Sequence, residues 1–220
     1  MERTIRVTGT GRVSLKPDLT IIRLSFKRVL PTYEEALEGS LYDVNEVRYA
    51  LMEAGLSKDS VKTTDFEVGI NYKYYYDEKG NRQSKPDGYF YRQSLKVTFG
   101  VDNKLLGKVL YQLAKLDVNS EFDIYYGVKD TEQAKNELLA KAIEDSKKKA
   151  EIISKSAGVT LGDILDINYS WLDDEFRTSS YDFDRPMLCK SVNERGGFDV
   201  DIDPDDIEKS DNITVVYQIK

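Results

Sequence analysis

The sequence predicts an α+β fold, mostly antiparallel sheet with helices packed on its faces, and three patterns carry that prediction. Apolar and polar residues alternate near both ends of the 220-residue chain, as half-buried strands require. Two segments, 32–55 and 131–157, repeat apolar or small residues every three to four positions between capping signals. Between them runs a long pair of aromatic-rich alternating stretches joined by a polar tip. Strand pairs alternating with helices make this an α+β layout with helices against sheet faces.

The elements follow in order. Ile5, Val7, Val13 and Leu15 share one parity, and Ile22, Leu24 and Phe26 alternate after a Lys16-Pro17-Asp18 corner, which predicts an opening hairpin of two antiparallel strands. Proline offers no ladder donor and biases Lys16 toward extended geometry, while Asp18 can bond its own backbone in a turn. Gly9 and Gly11 mark a bulge or a close backbone approach. A phosphate cradle would need a third glycine and a helix directly after it, whereas a strand follows here.

Thr32 and Glu35 form a capping-box pattern behind Pro31. Leu37, Leu41, Val44, Val47 and Leu51 make the apolar stripe of a first helix that ends at Gly55. In the ribbon that follows, Phe66, Val68, Ile70, Tyr72, Tyr74 and Tyr76 share one parity, as do Tyr89, Tyr91, Leu95, Val97 and Phe99 on the return, around a tip at 77–88. Leu105, Leu106, Val109, Leu110 and Leu113 predict a short helix started by Asp102 or Asn103. A strand through Phe122, Ile124, Tyr126 and Val128 comes next. The longest helix, 131–157, opens at Asp130 with Gln133 three residues on and closes at Gly158. One face carries Ala134, Leu138, Ala142, Ser146, Ala150, Ile153 and Ala157, small enough to let the helix sit close to a sheet. Leu165, Ile167, Tyr169 and Trp171 form a strand after it, and Ile213, Val215, Tyr217 and Ile219 form the last. The 173–197 stretch between them is polar and reads as a long irregular loop. These elements divide into subdomains 1–101 and 102–220, unless the whole chain is one domain.

Composition narrows the function classes. With 32% charged residues and a net charge of −7, the chain carries no global basic footprint, so no nucleic-acid partner is expected. Lys147 to Lys149 lie among Glu144, Asp145 and Glu151 and read as a solvated helix face. No apolar run reaches the roughly 20 residues of a membrane helix. Met1 to Arg6 shows no signal peptide, which suits a cytoplasmic protein, or a periplasmic one if this is a mature form. The chain has no histidine, which excludes Ser-His-Asp and Cys-His nucleophile systems and His-ligated zinc within one chain. The single cysteine, Cys189 beside Lys190, permits no internal disulfide and reads as a surface thiol. No cofactor is expected, and no residue pattern names a reaction.

Several landmarks together resemble the SIMPL domain family, which includes bacterial periplasmic and outer-membrane immunogenic proteins and an animal signalling protein. They are Thr8-Gly9-Thr10-Gly11, the Lys16-Pro17-Asp18 corner, Glu35-Ala36-Leu37, Val61 to Phe66, Gly88-Tyr89 through Leu95, the alanines of the long helix, Ala157-Gly158 and Leu161 to Ile164. Their order and spacing carry the resemblance along nearly the whole chain. It implies an oligomer-forming protein of the bacterial envelope associated with stress tolerance, some members building ring-like assemblies, with no catalytic residues to carry over. The missing signal peptide and the long 173–197 stretch depart from the family pattern.

Two surfaces are candidates for function. Asp199, Asp201 and Asp203 alternate in a run that ends at Asp206 and are weak calcium candidates, since an EF-hand loop would need glycine and glutamate where Pro204 and Ser210 stand. The competing reading is an exposed strand with Val200 and Ile202 inward. Fifteen tyrosines are the second anomaly, with Tyr72, Tyr74, Tyr76, Tyr89 and Tyr91 clustered on the ribbon. They either fill its flat face by cross-strand pairing or form a partner surface, and the two are compatible. Lys73, Arg92 and Lys96 fall on the opposite parity as a solvated face paired with Glu67 or other acids. The leading expectation is therefore a non-enzymatic, self-associating homo-oligomer with a possible protein partner. The alternatives are a small-molecule or metal-ion module with sites between subunits, and a carboxylate-based hydrolase.

Overall fold

The computed structural model describes residues 3–116, 118, 120–169, 176–179, 192–193 and 197–220. Trp171, Cys189 and most of the 173–197 stretch lie outside them. The chain forms two compact units, each discontinuous in sequence. One holds Met1–Asp18, Gly127–Thr178 and Pro204–Lys220, and the other Leu19–Tyr126 and Ser179–Asp203.

In the first unit, strands β1 (Thr4–Leu15), β6 (Leu161–Asn168) and β9 (Ile207–Ile219) form a sheet in the order β1-β9-β6, covered by helix α3 (Thr131–Ala157). Val7, Ile213, Val215 and Tyr217 meet Ala142 and Ala150, and Val13 meets Ala134, Leu138 and Phe176. The inward row of α3 runs Ala134, Leu138, Ala142, Ser146, Ala150, Ser154. It keeps to steps of four, so Ile153, one residue off the row, is exposed where an inward position was expected, and so is Ala157. Asp130 caps the helix by accepting from Gln133 N at 3.0 Å, and Gly158 ends it in the left-handed region at φ 70°.

The glycines of β1 explain the small residues of α3. A Cβ on Gly9 would collide with the carbonyl of Ala142 and one on Gly11 with that of Leu138, so the close-approach reading holds and backbone touches backbone. That proximity also seals an open sheet edge. β1 is a terminal strand, and its outward groups are taken up by α3 side chains one turn apart: Lys149 Nζ donates to Thr8 O at 3.1 Å, Thr10 N donates to Asp145 Oδ2 at 2.7 Å, and Lys141 Nζ donates to Arg12 O at 3.2 Å.

The second unit runs β2 (Leu19–Leu30), α1 (Tyr33–Glu53), β3 (Val61–Tyr76), β4 (Arg82–Gly100), α2 (Asn103–Ala114) and β5 (Ser120–Gly127), whose last residue belongs to the first unit. With strand order β3-β4-β2-β5 this is the split β-α-β-β-α-β arrangement of ferredoxin-like folds. Leu24, Phe26, Leu95 and Val97 pack against Val47 and Leu51 of α1 and Leu106 and Leu110 of α2. Among the described residues the core thus fills the helix-bearing side. Thr32 and Glu35 close the capping box on α1.

Four expectations are corrected. The opening strands do not pair: β1 joins β9 and β2 joins β4, because Asp18 accepts from Lys129 N at 2.8 Å and its own N–H donates to Gly127 O, turning the corner away from a hairpin. The chain does not divide at 101/102, since α2 and β5 on the far side of that point complete the β2–β4 sandwich. Leu41 is 66% exposed, being one residue past the inward row Ala36, Ser40, Val44, Val47 and Leu51. The stretch before β9 is not a ladder strand beyond Phe198: short strands β7 (Val192–Asn193) and β8 (Gly197–Phe198) pair with each other, and Val200 and Ile202 pack against the helix-side core.

Candidate functional site

The ribbon is the first place where the chain exposes what folding ordinarily hides. β2 accompanies β4 only as far as the pair Leu30↔Tyr89, while β3 and β4 stay paired from Tyr72↔Pro86 to Tyr76↔Arg82. Beyond Tyr89 the sheet is therefore two strands wide. The turn is shorter than the expected 77–88, covering only 77–81, because Asp77 closes it: its Oδ1 accepts from Lys79 N and Asn81 N at 2.9 Å, and Oδ2 from Asn81 and Gln83 amides at 3.3 Å. These donors, the Asn81 N–H foremost, hold the Asp77 carboxyl below its ordinary range.

On this projecting part Tyr72, Tyr74 and Tyr76 are 48%, 60% and 73% exposed, and Tyr75 is 45%. Arg82 lies over the Tyr74 ring at 4.1 Å. Tyr89, at the root, is half-buried edge-on against Tyr33 at 5.9 Å. Tyr91 does not belong with them. It is fully buried, and its hydroxyl donates to Asp43, which also accepts from Arg28 Nη1 at 3.0 Å. Alternation alone does not separate it from Tyr89, since both share the core-facing parity and Tyr89 meets only Tyr33, the first residue of α1.

Asp43 is the residue that sequence reading missed. It is the one buried carboxylate among the described residues. Burial first, then the Asp43 acceptor, raise the Tyr91 pKa, and the Asp43 charge raises that of Arg28. A signal was present: Asp43 lies seven residues after Ala36, on the row that α1 buries.

Asp199, Asp201 and Asp203 are exposed, and no group of three or more Cys, Asp or Glu among the described residues converges on a metal-sized site. The ionic groove along α3 pairs its own charges, Lys141 with Glu137 at 2.6 Å and Lys148 and Lys149 with Glu144 and Asp145 at 2.7 Å. On the ribbon's root, Arg92 meets Glu67 at 3.1 Å as expected. No helix among the described residues is long and apolar enough to cross a membrane.

Comparison with known proteins gives the same picture of a known family without a known reaction. The SIMPL family, described as a protein of unknown function (DUF541), matches residues 5–217. Two 26 kDa periplasmic immunogenic proteins, from Brucella abortus (strain S19) and Brucella melitensis biotype 1, are each 27% identical over 164 residues, which is 74% of this chain. The match spans 65% of those relatives' length. Among solved structures, the de novo designed protein Foldit4 aligns over 49% of this chain and 93% of its own at 15% identity, with a TM-score of 0.21, too low to carry an argument.

Proposed function

The chain belongs to the SIMPL family, and on that premise we propose that it is a non-enzymatic, self-associating protein that works through protein–protein contacts, with the projecting end of its tyrosine ribbon as the main contact. The observation that carries this is the two-stranded projection bearing Tyr72, Tyr74, Tyr75 and Tyr76 in the open. An isolated two-stranded hairpin is marginal in water, and tyrosine combines apolar area with a hydroxyl at low entropic cost, as interface centres require. Docking on a neighbouring copy supplies the third layer that the ribbon lacks. The non-enzymatic reading is supported by the absence of histidine and by the engagement of the buried carboxylate with Tyr91 and Arg28. The periplasmic designation of the Brucella relatives supports the bacterial envelope as the compartment, and a stress-linked role there is the setting that the family resemblance implies.

The test is the mass of Tyr72→Ser/Tyr76→Ser by size-exclusion chromatography with light scattering. Wild type is expected to run as an oligomer and the double variant as a single chain, with thermal stability changed by no more than about 0.5 kcal/mol, as for exposed positions. An unchanged oligomer in the variant would remove the ribbon from the interface.

A further inference from the structure

The two sheets treat their terminal strands differently. The outward backbone groups of β1 are taken up by side chains of α3. β3 is the terminal strand of the four-stranded sheet, and no side chain among the described residues bonds to the backbone of its 65–76 stretch. That stretch is also regular. The bulge on β3 falls at Thr64, and the shift between Ile70 and Tyr72 inserts its extra residue on β4, beside Gly88 at φ 84°. Residues 65–76 therefore keep strict alternation over about 40 Å. Phe66, Val68, Ile70, Tyr72, Tyr74 and Tyr76 share one side, and Phe66 and Ile70 are 49% and 45% exposed although they lie at the root of the ribbon. An open apolar edge of this kind is a template for another strand. The other side carries acids at one end, Asp65 and Glu67, and a base toward the other, Lys73, which stands opposite Lys85 of β4. Glu67 gives Oε2 to Arg92 at 3.1 Å. Neither Lys73 nor Lys85 has a carboxylate within ion-pair distance among the described residues, and like charges facing across strands are destabilising.

We propose that the open edge of β3 pairs with the same edge of a second copy, antiparallel about a two-fold axis at Ile70. The inference rests on the self-association proposed above and says how the ribbons join. Residues directly opposite each other must share a side of the sheet, so the axis passes through a residue; an axis between residues would set the tyrosine row against the polar one. Two positions keep nearly the whole stretch paired, Ile70 and Asn71. With the axis at Asn71, Asp65 falls opposite Asp77 of the other copy and Lys73 opposite Gly69. With the axis at Ile70, Lys73 falls opposite Glu67, Asp65 opposite Tyr75, Tyr74 opposite Phe66 and Tyr72 opposite Val68, and no like charges meet. The two-fold makes each of these pairs twice. Each Lys73 thereby gains the carboxylate it lacks, and each Phe66 gains a cover. The turn at 77–81 lies past the Thr64 bulge of the other copy, outside the paired length. The contact is isologous and closes at two copies. It also turns a two-stranded ribbon, marginal by itself, into half of a four-stranded sheet.

The experiment reads the register by crosslinking. In a Cys189→Ser chain, which lacks the single thiol, Ile70→Cys is compared with Asn71→Cys and Tyr74→Cys under mild oxidation, with thermal unfolding as the check of folding. Directly opposite residues of antiparallel strands have Cβ atoms about 5 Å apart, within reach of a disulfide once the strands adjust. Ile70→Cys is therefore expected to form interchain dimers roughly tenfold faster than the other two. Lys73→Glu and Glu67→Lys are each expected to need about tenfold higher concentration to associate by light scattering, because the two-fold doubles every like-charge pair, and their equimolar mixture to regain wild-type mass. Faster crosslinking through Asn71→Cys, or through Tyr74→Cys as for ribbons packed face to face, overturns the proposal. So does unchanged mass in both reversed chains, a loss that mixing does not restore, or a wild type that stays a single chain. If Tyr72→Ser/Tyr76→Ser dissociates and Ile70→Cys gains no crosslinking over the other positions, the edge pairing fails and the tyrosine contact stands. If Ile70→Cys crosslinks preferentially and the tyrosine variant keeps its mass, the tyrosine contact fails and the edge pairing stands.

Discussion

Asp43 has its side chain 1% exposed, with Tyr91 and Arg28 donating to its two oxygens. Removing it strands a buried phenol and a half-exposed guanidinium together, so Asp43→Ala is expected to cost about 3 kcal/mol in urea unfolding. Tyr91→Phe removes one donor and leaves Arg28 in place, so it should cost less. Tyr169 behaves differently. It donates to Asp211 at 3.0 Å, and burial first, then that acceptor, push its pKa up to about 12. The folded chain keeps this proton where the unfolded chain, titrating near 10, releases it. The group's contribution is therefore complete below pH 10 and is lost as pH rises through about 12. Tyr169→Phe should flatten the alkaline loss of stability in that window, measured by thermal unfolding across pH.

The β1 edge is held by three side chains on one turn-spaced row of α3. Truncating Lys141, Asp145 and Lys149 to alanine exposes Thr8 O, Thr10 N and Arg12 O as a template for strand addition. The triple variant should remain folded and yet aggregate faster on mild heating, followed by turbidity and thioflavin fluorescence; unchanged aggregation would show that the edge needs no seal. At this scale much was legible. Thr32 with Glu35, Asp130 with Gln133, and Gly158 announced both long helices, because caps are local chemistry within four residues. Strand partners were not legible, since the alternation of Val7 and Val13 fixes which side is buried and says nothing of a partner two hundred residues away. Leu41 and Ile153 fall off the inward rows for a related reason: the inward row of a helix depends on the strands it crosses. Parity does not separate Tyr91 from the ribbon tyrosines, because it cannot reveal how fully a helix covers each position.

Over the whole molecule, the division into units follows pairing and not sequence halves. The segment from β2 to β5 contains a complete β-α-β-β-α-β core, whereas residues 1–101 hold β1 without β9 and β2–β4 without α2. A 1–101 fragment is accordingly expected to lack a cooperative thermal transition, while one spanning 19–126 should show one, weakened by loss of the cover from Phe198, Val200 and Ile202. Both can be read by circular dichroism. The candidate surfaces were legible in part at this scale: the ribbon tyrosines stood out by composition, but the open edge of β3 exists only once the strand order is known.

The pairing of β1 with β9 has a mechanical consequence. Thr4 lies opposite Gln218, so tension applied to the two ends of the chain loads that antiparallel ladder at one end and peels it bond by bond, the geometry of least resistance. The ferredoxin-like unit lies between those strands along the chain and carries no load until they part. Force from either side would thus open the glycine-seated sheet first and deliver the tyrosine-bearing unit still folded.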